Sequence, residues 1–476
     1  MMKIYNSLTR RKEDFVPICE GAVGMYVCGQ TVYDYCHLGH ARKAIVFDMI
    51  RRWFIASGYT VTFVENITDI DDKIIKRALE NSQSINELTA KFINYMHEDF
   101  DKLGIMRPDL QPKATEYVPH MLSIIDDLVS KGYAYHAANG DVYYAVRKFA
   151  DYGKLSGKSL TDLYAGERVE IDQNKRDPFD FVLWKSAKEH EPHWNSQFGK
   201  GRPGWHIECS AMAEQLLGKT FDIHGGGHDL QFPHHENEIA QSEAYTGCKL
   251  ANLWMHNGFL NINDEKMSKS LGNFFVLRDV LKEYHPEVIR LFILKTHYRS
   301  PLNFKLAGLD EAKHGLTRLY TAIKACEAFA EPELSQDVDR NATKNMIKSD
   351  NYINFNWDNA YAKKFKLALD DDFNTSLAIG VLFEICSAIN IKHDIELVKL
   401  LVSLANILGL LTVLAADFLQ ANDCKVSSSE IEQLIIERNQ ARVDKNFALS
   451  DKIRNELLAR GIILEDSAGK TTWRKA

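Results

Sequence analysis

A short apolar run, Met25-Tyr26-Val27-Cys28-Gly29, stops at a glycine and is followed by a loop, Gln30 to Cys36. A helical pattern then runs from about Leu38 to Ser57, with Ile45, Ile50 and Phe54 among its apolar positions. A second strand-like run spans Tyr59 to Glu65, and Asp71 to Leu79 reads as a further helix. Strand, crossover helix and strand in that order predict a βαβ unit. Such a unit makes its strands parallel, and parallel sheets bind ligands at the carboxyl ends of their strands. The expected fold class is α/β.

With 476 residues, the chain has room for about three domains at roughly 150 residues each. Polar, broken sequence begins near Met106-Arg107-Pro108 and reads as an insertion to about Gln197, with a hairpin around Asn139-Gly140 joining Tyr133–His136 to Asp141–Ala145. The α/β pattern resumes near Gly204 and lasts to about Leu260, and beyond Pro301 the sequence is helical. Asparagine-rich sequence at 341–359 reads as an interhelical loop. Leu400 to Ala416 is uncharged but only 17 residues long, short of the ~20 that span a bilayer. Its polar residues Ser403, Asn406 and Thr412 predict a buried bundle helix instead. In the tail, Ser427 and Glu430 have capping-box spacing, and a second helix from about Ser450 to Arg460 should stop at Gly461. The boundaries expected are 1–260 with an insertion at about 106–197, then 261–310, 311–426 and 427–476.

Charges sum to 58 − 65 = −7, with 45% hydrophobic and 26% charged residues, which excludes wholesale disorder and collagen-like sequence. Met1 to Phe15 is charged and has no apolar core, so no signal peptide is expected. Eight cysteines without a CxxC pair then point to reduced thiols in the cytoplasm.

Three elements carry chemistry. His37-Leu38-Gly39-His40 stands where the first helix begins, and helix N-termini attract anions. Lys266-Met267-Ser268-Lys269-Ser270 offers a cationic loop suited to a polyphosphate, or simply a solvated turn. Phe232-Pro233-His234-His235-Glu236-Asn237-Glu238 sets His234 and Glu238 on one helix face. With Cys28 and Cys209 these are suitable ligand types for Zn²⁺, but His224, His228, His235 and Glu236 compete. A zinc hydrolase fits poorly: Ile239 stands at the last position of an HExxH pattern, and no PCxxC follows His206-Ile207-Glu208.

The first two elements together resemble the HIGH and KMSKS signatures of class I aminoacyl-tRNA synthetases, in which an amino-acid carboxylate attacks the α-phosphate of ATP. Asn66-Ile67-Thr68-Asp69-Ile70-Asp71-Asp72-Lys73, the segment Gly204–Cys209, and His224–Leu230 running into Phe232–Glu238 narrow this. They resemble the cysteinyl-tRNA synthetases, and the likeness extends over essentially the whole chain.

The resemblance implies a Rossmann-like parallel-sheet catalytic domain with an inserted subdomain, then a helical bundle and a small anticodon-binding module. It implies one Zn²⁺ on Cys28, Cys209, His234 and Glu238, which would take the substrate thiol as a further ligand. Zinc favours a thiolate over a neutral hydroxyl, so cysteine can be told from serine at binding. The insertion is small for a separate editing domain. By the same likeness Gly29, Thr31, Thr68 and Trp205 line the cysteine pocket, although Trp205 read alone fits a plain core residue. His37, His40, Lys266 and Lys269 act on ATP, and Asp229 contacts the nucleoside. Mg²⁺ accompanies ATP. Arg442, Phe447, Asp451 and Asp466 match positions that read the anticodon, Phe447 standing where relatives often have tryptophan. The expected partners are L-cysteine, ATP and cysteine tRNA, for a monomer with no membrane. A ligase passing cysteine to a small amine, or a non-catalytic tRNA-binding paralogue, would be the nearest rivals.

Overall fold

The computed structural model describes residues 2–158, 173–189, 191–262, 265–266, 274–327, 356–420, 428–444, 446–467 and 470–475. The chain divides into two compact units, one of Met1–Arg278, Ile293–Lys305 and Ser349–Ala378, the other of Asp279–Phe292, Leu306–Lys348 and Ile379–Ala476.

The first unit opens with an antiparallel pair, β1 (Lys3–Asn6) and β2 (Arg11–Asp14). The expected βαβ unit follows as β3 (Ala22–Thr31), α1 (Leu38–Ala56) and β4 (Thr60–Thr68), with β3 and β4 parallel. Next come α2 (Asp72–Glu80), α3 (Ile85–Lys102) and α4 (Val118–Ser130). Five short strands then form an antiparallel sheet in the order β5-β6-β7-β9-β8: β5 (Ala134–His136), β6 (Val142–Tyr144), β7 (Phe181–Ser186), β8 (Trp194–Ser196) and β9 (Gly199–Pro203). The chain returns through α5 (Trp205–Leu217), β10 (Phe221–Gly227), α6 (Glu236–Thr246) and β11 (Ala251–Asn257). The main sheet is β11-β10-β3-β4, parallel throughout, so Thr31, Thr68, Gly227 and Asn257 all end on one edge. Leu110 and Lys113 bridge in parallel to Val64 and Ile67, which keeps the polar stretch after 106 on the edge of this sheet.

α1 is buried around most of its circumference, charges included. Burying a charge is costly unless it is paired or hydrogen-bonded, and here each one is. Lys43 meets Glu65 at 2.6 Å, Arg52 meets Asp48 at 2.8 Å and Arg51 meets Asp109 at 2.7 Å. Arg42 donates to the carbonyls of Phe259, Tyr298 and Ser300. That fastens α1 to the segment leading into β12 (Leu260–Ile262), which pairs with β13 (Glu265–Lys266) and β14 (Leu302–Phe304).

α7 (Leu277–Glu283), α8 (Pro286–Leu294) and α9 (Leu306–Glu327) follow. Of the asparagine-rich stretch, 341–355 lies outside the described residues, while Asn359 caps α10 (Ala360–Asp370). α11 (Thr375–Lys392) is long and apolar enough to cross a membrane by length and composition alone. The uncharged run Leu400–Ala416 is not one helix: α12 (Ile395–Ile407) ends inside it and α13 (Ala415–Gln420) begins near its close. The break comes from buried charges elsewhere in the second unit. Arg290 Nε donates to the Leu408 carbonyl at 2.6 Å, and Glu287 accepts from the N–H groups of Leu411 and Thr412 at 2.9 and 2.8 Å.

The tail folds as α14 (Ser428–Val443), α15 (Phe447–Ala459), β15 (Ile462–Ser467) and β16 (Lys470–Lys475) around Ile431, Ile435, Ile453, Leu457, Ile462, Leu464 and Trp473. Gly461 takes a left-handed φ of 78°, as the stop signal required. The capping residue Ser427 lies outside the described residues. The closing hairpin was not anticipated.

Candidate active site

At the carboxyl end of β3 the register slips between Val27 and Gln30. The slip lets Gly29 approach β4 so closely that a Cβ there would lie 1.6 Å from the Asn66 carbonyl oxygen. Only glycine fits. Asn66 Oδ1 in turn accepts from the Gly29 N–H at 2.7 Å.

Beside this bulge, Cys28 of β3, Cys209 of α5, His234 in the turn before α6 and Glu238 in the first turn of α6 converge. Their ligand atoms all lie within 4.8 Å of one another, and all four residues are buried. The two sulfurs are 3.7 Å apart, Cys28 Sγ is 3.4 Å from Glu238 Oε1, and His234 Nε2 is 3.0 Å from the same oxygen. A tetrahedral zinc with Zn–S near 2.3 Å sets its sulfurs about 3.8 Å apart, so the cluster fits that ion. A second set, Cys28, His224, His235 and Glu238, meets the same distance limit, though with a single sulfur. Neighbours fix the first set's donors. His206 Nδ1 meets His234 Nδ1 at 2.9 Å, which turns His234 Nε2 to the cluster, and His224 Nε2 holds Glu238 Oε2 at 2.8 Å.

Burial pushes the Cys28 thiol well up, helped by Cys209 and Glu238. For Cys209 burial also acts upward, but the hydrogen bond from Cys28 and the His234 imidazole draw it down to about 6. Burial likewise opposes charge on Glu238, yet His224 and His234 hold its carboxyl well below the usual range.

His37 is the N-cap of α1. Its Nδ1 accepts from the N–H groups of Gly39 and His40 at 3.1 and 3.4 Å, while His40 Nδ1 accepts from the His37 N–H at 3.2 Å. The rings stack with centroids 3.6 Å apart. With Nδ1 accepting, each neutral ring carries its proton on Nε2, as a donor to phosphate must.

Both histidines line a cavity of about 620 Å³ at the carboxyl edge of the sheet, together with Gly29, Thr31, Trp205 and Asp229. Trp205 is 40% exposed, with its ring 4.2 Å from that of His234, so the plain-core reading of Trp205 is wrong. It caps the cavity because it is the first residue of α5. Thr68 does not line this cavity. It is buried and donates to Glu208 Oε2 at 2.8 Å, and burial holds that carboxyl well above its ordinary range. Lys266 lies in β13, whereas 267–273, including Lys269, lies outside the described residues. Sequence reasoning missed Lys43, whose Nζ reaches Glu65 at 2.6 Å and the Cys28 carbonyl at 2.9 Å. Its position three residues after His40, on the same helix face, was the available signal.

In the tail, Arg442, Phe447 and Asp451 are exposed. Asp466 is different. Arg438 grips both of its carboxylate oxygens at 2.9 and 2.7 Å, and Arg442 Nη1 lies 3.3 Å away. Asp466 thereby ties β15 to α14.

The parallel sheet, the histidine pair capping its first helix and the cavity between them define a class I aminoacyl-tRNA synthetase. Residues 14–314 match the class I (C) tRNA synthetase catalytic domain, 364–412 the DALR domain, and 427–474 the cysteinyl-tRNA ligase anticodon binding domain. The chain belongs to the cysteine–tRNA ligase family. It is 57% identical to the cysteine–tRNA ligases of Laribacter hongkongensis and Methylobacillus flagellatus, each over 100% of both chains. Among solved structures it resembles Mycobacterium tuberculosis methionyl-tRNA synthetase with methionyl-adenylate (TM-score 0.57, 13% identity, 81% of this chain and 89% of that one). A putative arginyl-tRNA synthetase from Campylobacter jejuni gives a TM-score of 0.54 at 12% identity over 83% of this chain and 93% of that one. These likenesses speak for the fold. Neither the small-amine ligase nor the non-catalytic paralogue finds support.

Proposed function

We propose that this chain activates L-cysteine with ATP and transfers the cysteinyl group to cysteine tRNA, selecting the substrate by its thiol. The observation that carries the reading is the meeting of Cys28, Cys209, His234 and Glu238 directly behind the cavity. Gly29, which lines the cavity, follows Cys28 in the chain, and the Trp205 ring packs on His234. Zn²⁺ held there would bind the substrate thiolate and pass over a serine hydroxyl.

The remaining work belongs to the chain. Gly29, Thr31 and Trp205 enclose the cysteine, and Thr68, paired with Thr31 in the register of β3 and β4, supports the wall of the pocket. The Nε2–H groups of His37 and His40, with the N–H groups at the start of α1, donate to the α-phosphate where charge grows as the carboxylate attacks. Asp229 holds the nucleoside of ATP, which enters with Mg²⁺, and Lys266 and Lys269 steady the departing pyrophosphate. Arg442, Phe447, Asp451 and Asp466 read the anticodon, with Arg442 and Asp466 in contact. The chain acts as a monomer in the cytoplasm, the compartment that eight cysteines without a CxxC pair favour.

The test is amino-acid-dependent ATP–pyrophosphate exchange across all twenty amino acids. Exchange with cysteine, and serine at background, is expected. Equal exchange with serine would overturn thiol selection.

A further inference from the structure

The residues that lead into α1 are tied to those that lead into α7. Leu38 donates its N–H to the Phe275 carbonyl at 3.1 Å, and Leu277 donates to the Cys36 carbonyl at 2.8 Å. Between them His37 faces Val276 in an antiparallel bridge. His37 is thus held twice, by its own cap over Gly39 and His40 and by this short ladder.

A ladder of two hydrogen bonds is marginal by itself. The same register places Tyr35 opposite Arg278 as its next pair, and both are pinned to α3. Arg278 spreads its guanidinium over the Asp99 carboxylate, with Nη2 donating to Oδ1 at 3.1 Å and Nε to Oδ2 at 3.4 Å. Nη2 also reaches the Tyr95 carbonyl at 3.4 Å and Glu98 Oε2 at 3.3 Å. Asp99 is fully buried, so its charge has no water to turn to and depends on such a partner.

The aromatic side of the clamp comes from helical spacing. Phe92, Tyr95 and Asp99 fall on one face of α3. The Tyr35 ring stacks on Tyr95 with centroids 5.2 Å apart and meets Phe92 edge-on at 5.4 Å. The Arg278 guanidinium carbon lies 4.3 Å from the Tyr95 ring centre and 4.9 Å from that of Tyr35. A flat cation against two ring faces while forked on a carboxylate has little freedom left. Arg278, Tyr35, Tyr95 and Asp99 all belong to the first unit.

The clamp touches no wall of the 620 Å³ cavity, yet it fixes the backbone on which a cavity-lining histidine stands. A hydrogen-bond donor aimed at developing charge works only where it is already in place. A misplacement of about 1 Å at such a group costs on the order of 10²-fold in rate.

We infer that Arg278 is a positioning residue for amino-acid activation: with Tyr35 and Tyr95 it pins the Cys36–Leu38 ladder to the buried Asp99, and so sets where the His37 imidazole stands. The inference rests on the cysteine-activation reading above.

The experiment measures kcat and KM for cysteine in ATP–pyrophosphate exchange, together with bound zinc and melting temperature. Arg278→Ala should lower kcat at least tenfold, with KM for cysteine within twofold of the parent's and zinc content unchanged. Arg278→Lys should recover part of the rate, because an ammonium keeps the charge for Asp99 but lacks the fork and the flat face. Should Arg278→Ala fail to fold with Asp99 left unpaired, two further variants carry the test. Arg278→Leu/Asp99→Leu removes both charges, and Tyr95→Leu opens the clamp with the ion pair in place. Both should melt near the parent and remain slow. A folded variant that activates cysteine at the parent's rate overturns the inference. So does a rate that returns with the melting temperature in Arg278→Leu/Asp99→Leu, which would make the clamp a matter of stability alone. A loss carried by KM with kcat unchanged overturns it as well. All three outcomes leave the parent's cysteine-dependent exchange standing, whereas a parent without that exchange refutes the underlying reading and this inference with it.

Discussion

Lys43 donates to the carbonyl oxygen of Cys28 at 2.9 Å, and so fastens the helix that begins with His37 and His40 to the residue where β3 delivers its thiol. One side chain thereby joins the histidine end of the candidate site to its cysteine end. The ammonium is itself compensated by Glu65, in a pair whose side chains are only 9% and 12% exposed.

Lys43→Met should therefore destabilise the first unit. Removing one partner of a buried pair strands the other charge, at a cost of about 3–5 kcal/mol. Replacing both, as Lys43→Met/Glu65→Leu, should recover much of that loss. Urea unfolding of the single and double variants measures both quantities, and equal loss in the two would argue against a stranded carboxylate.

Cys209→Ser should lower bound zinc and abolish cysteine activation while the fold persists. A serine hydroxyl keeps the shape of the site but is a poor ligand for zinc. Metal analysis and circular dichroism give the two readings. Full zinc occupancy in Cys28→Ser/Cys209→Ser would remove the proposed ligand set.

Lys269→Ala should slow adenylate formation more than it weakens cysteine binding. A cation aimed at charge that appears only as pyrophosphate departs acts on kcat rather than KM. Single-turnover activation at saturating cysteine isolates this step, and a rate equal to the parent's would exclude the role.

The tail should loosen in acid before the rest of the chain. The Arg438 hydrogen bonds hold the Asp466 carboxyl well below its ordinary value, with Thr471 and Arg442 adding to the effect. A carboxyl depressed by folding contributes stability above its unfolded value near 3.9, and that contribution fades as pH falls toward the lower folded value. Hydrogen exchange in α14 and β15 should accelerate below about pH 4, and Asp466→Asn should flatten that dependence.

Deleting 427–476 should leave cysteine-dependent exchange intact, because every residue proposed for activation precedes position 271. Charging of cysteine tRNA should fall sharply. Arg442→Ala should reproduce part of the loss, with about 1–3 kcal/mol as the scale of one base contact. Anticodon-altered cysteine tRNA separates the parent, which should discriminate, from the truncated chain, which should not.

What the sequence determined by itself was local. The βαβ unit followed from apolar period and length, and the His37–His40 cap lies within a single turn of helix, where spacing dictates geometry. The hairpin at Asn139-Gly140 and the stop at Gly461 rest on backbone preferences confined to one or two residues. The family likeness supplied what spacing could not, naming Cys28, Cys209, His234 and Glu238 from among several competing histidines and carboxylates. Tertiary structure decided everything that depends on a distant partner. Glu287 and Arg290 break the uncharged run at Leu408, Glu208 takes the Thr68 hydroxyl, and Arg438 takes Asp466. None of these contacts has a period or a motif. A buried charge or hydroxyl must find a partner wherever the chain passes, and only the folded chain brings that partner within hydrogen-bonding reach.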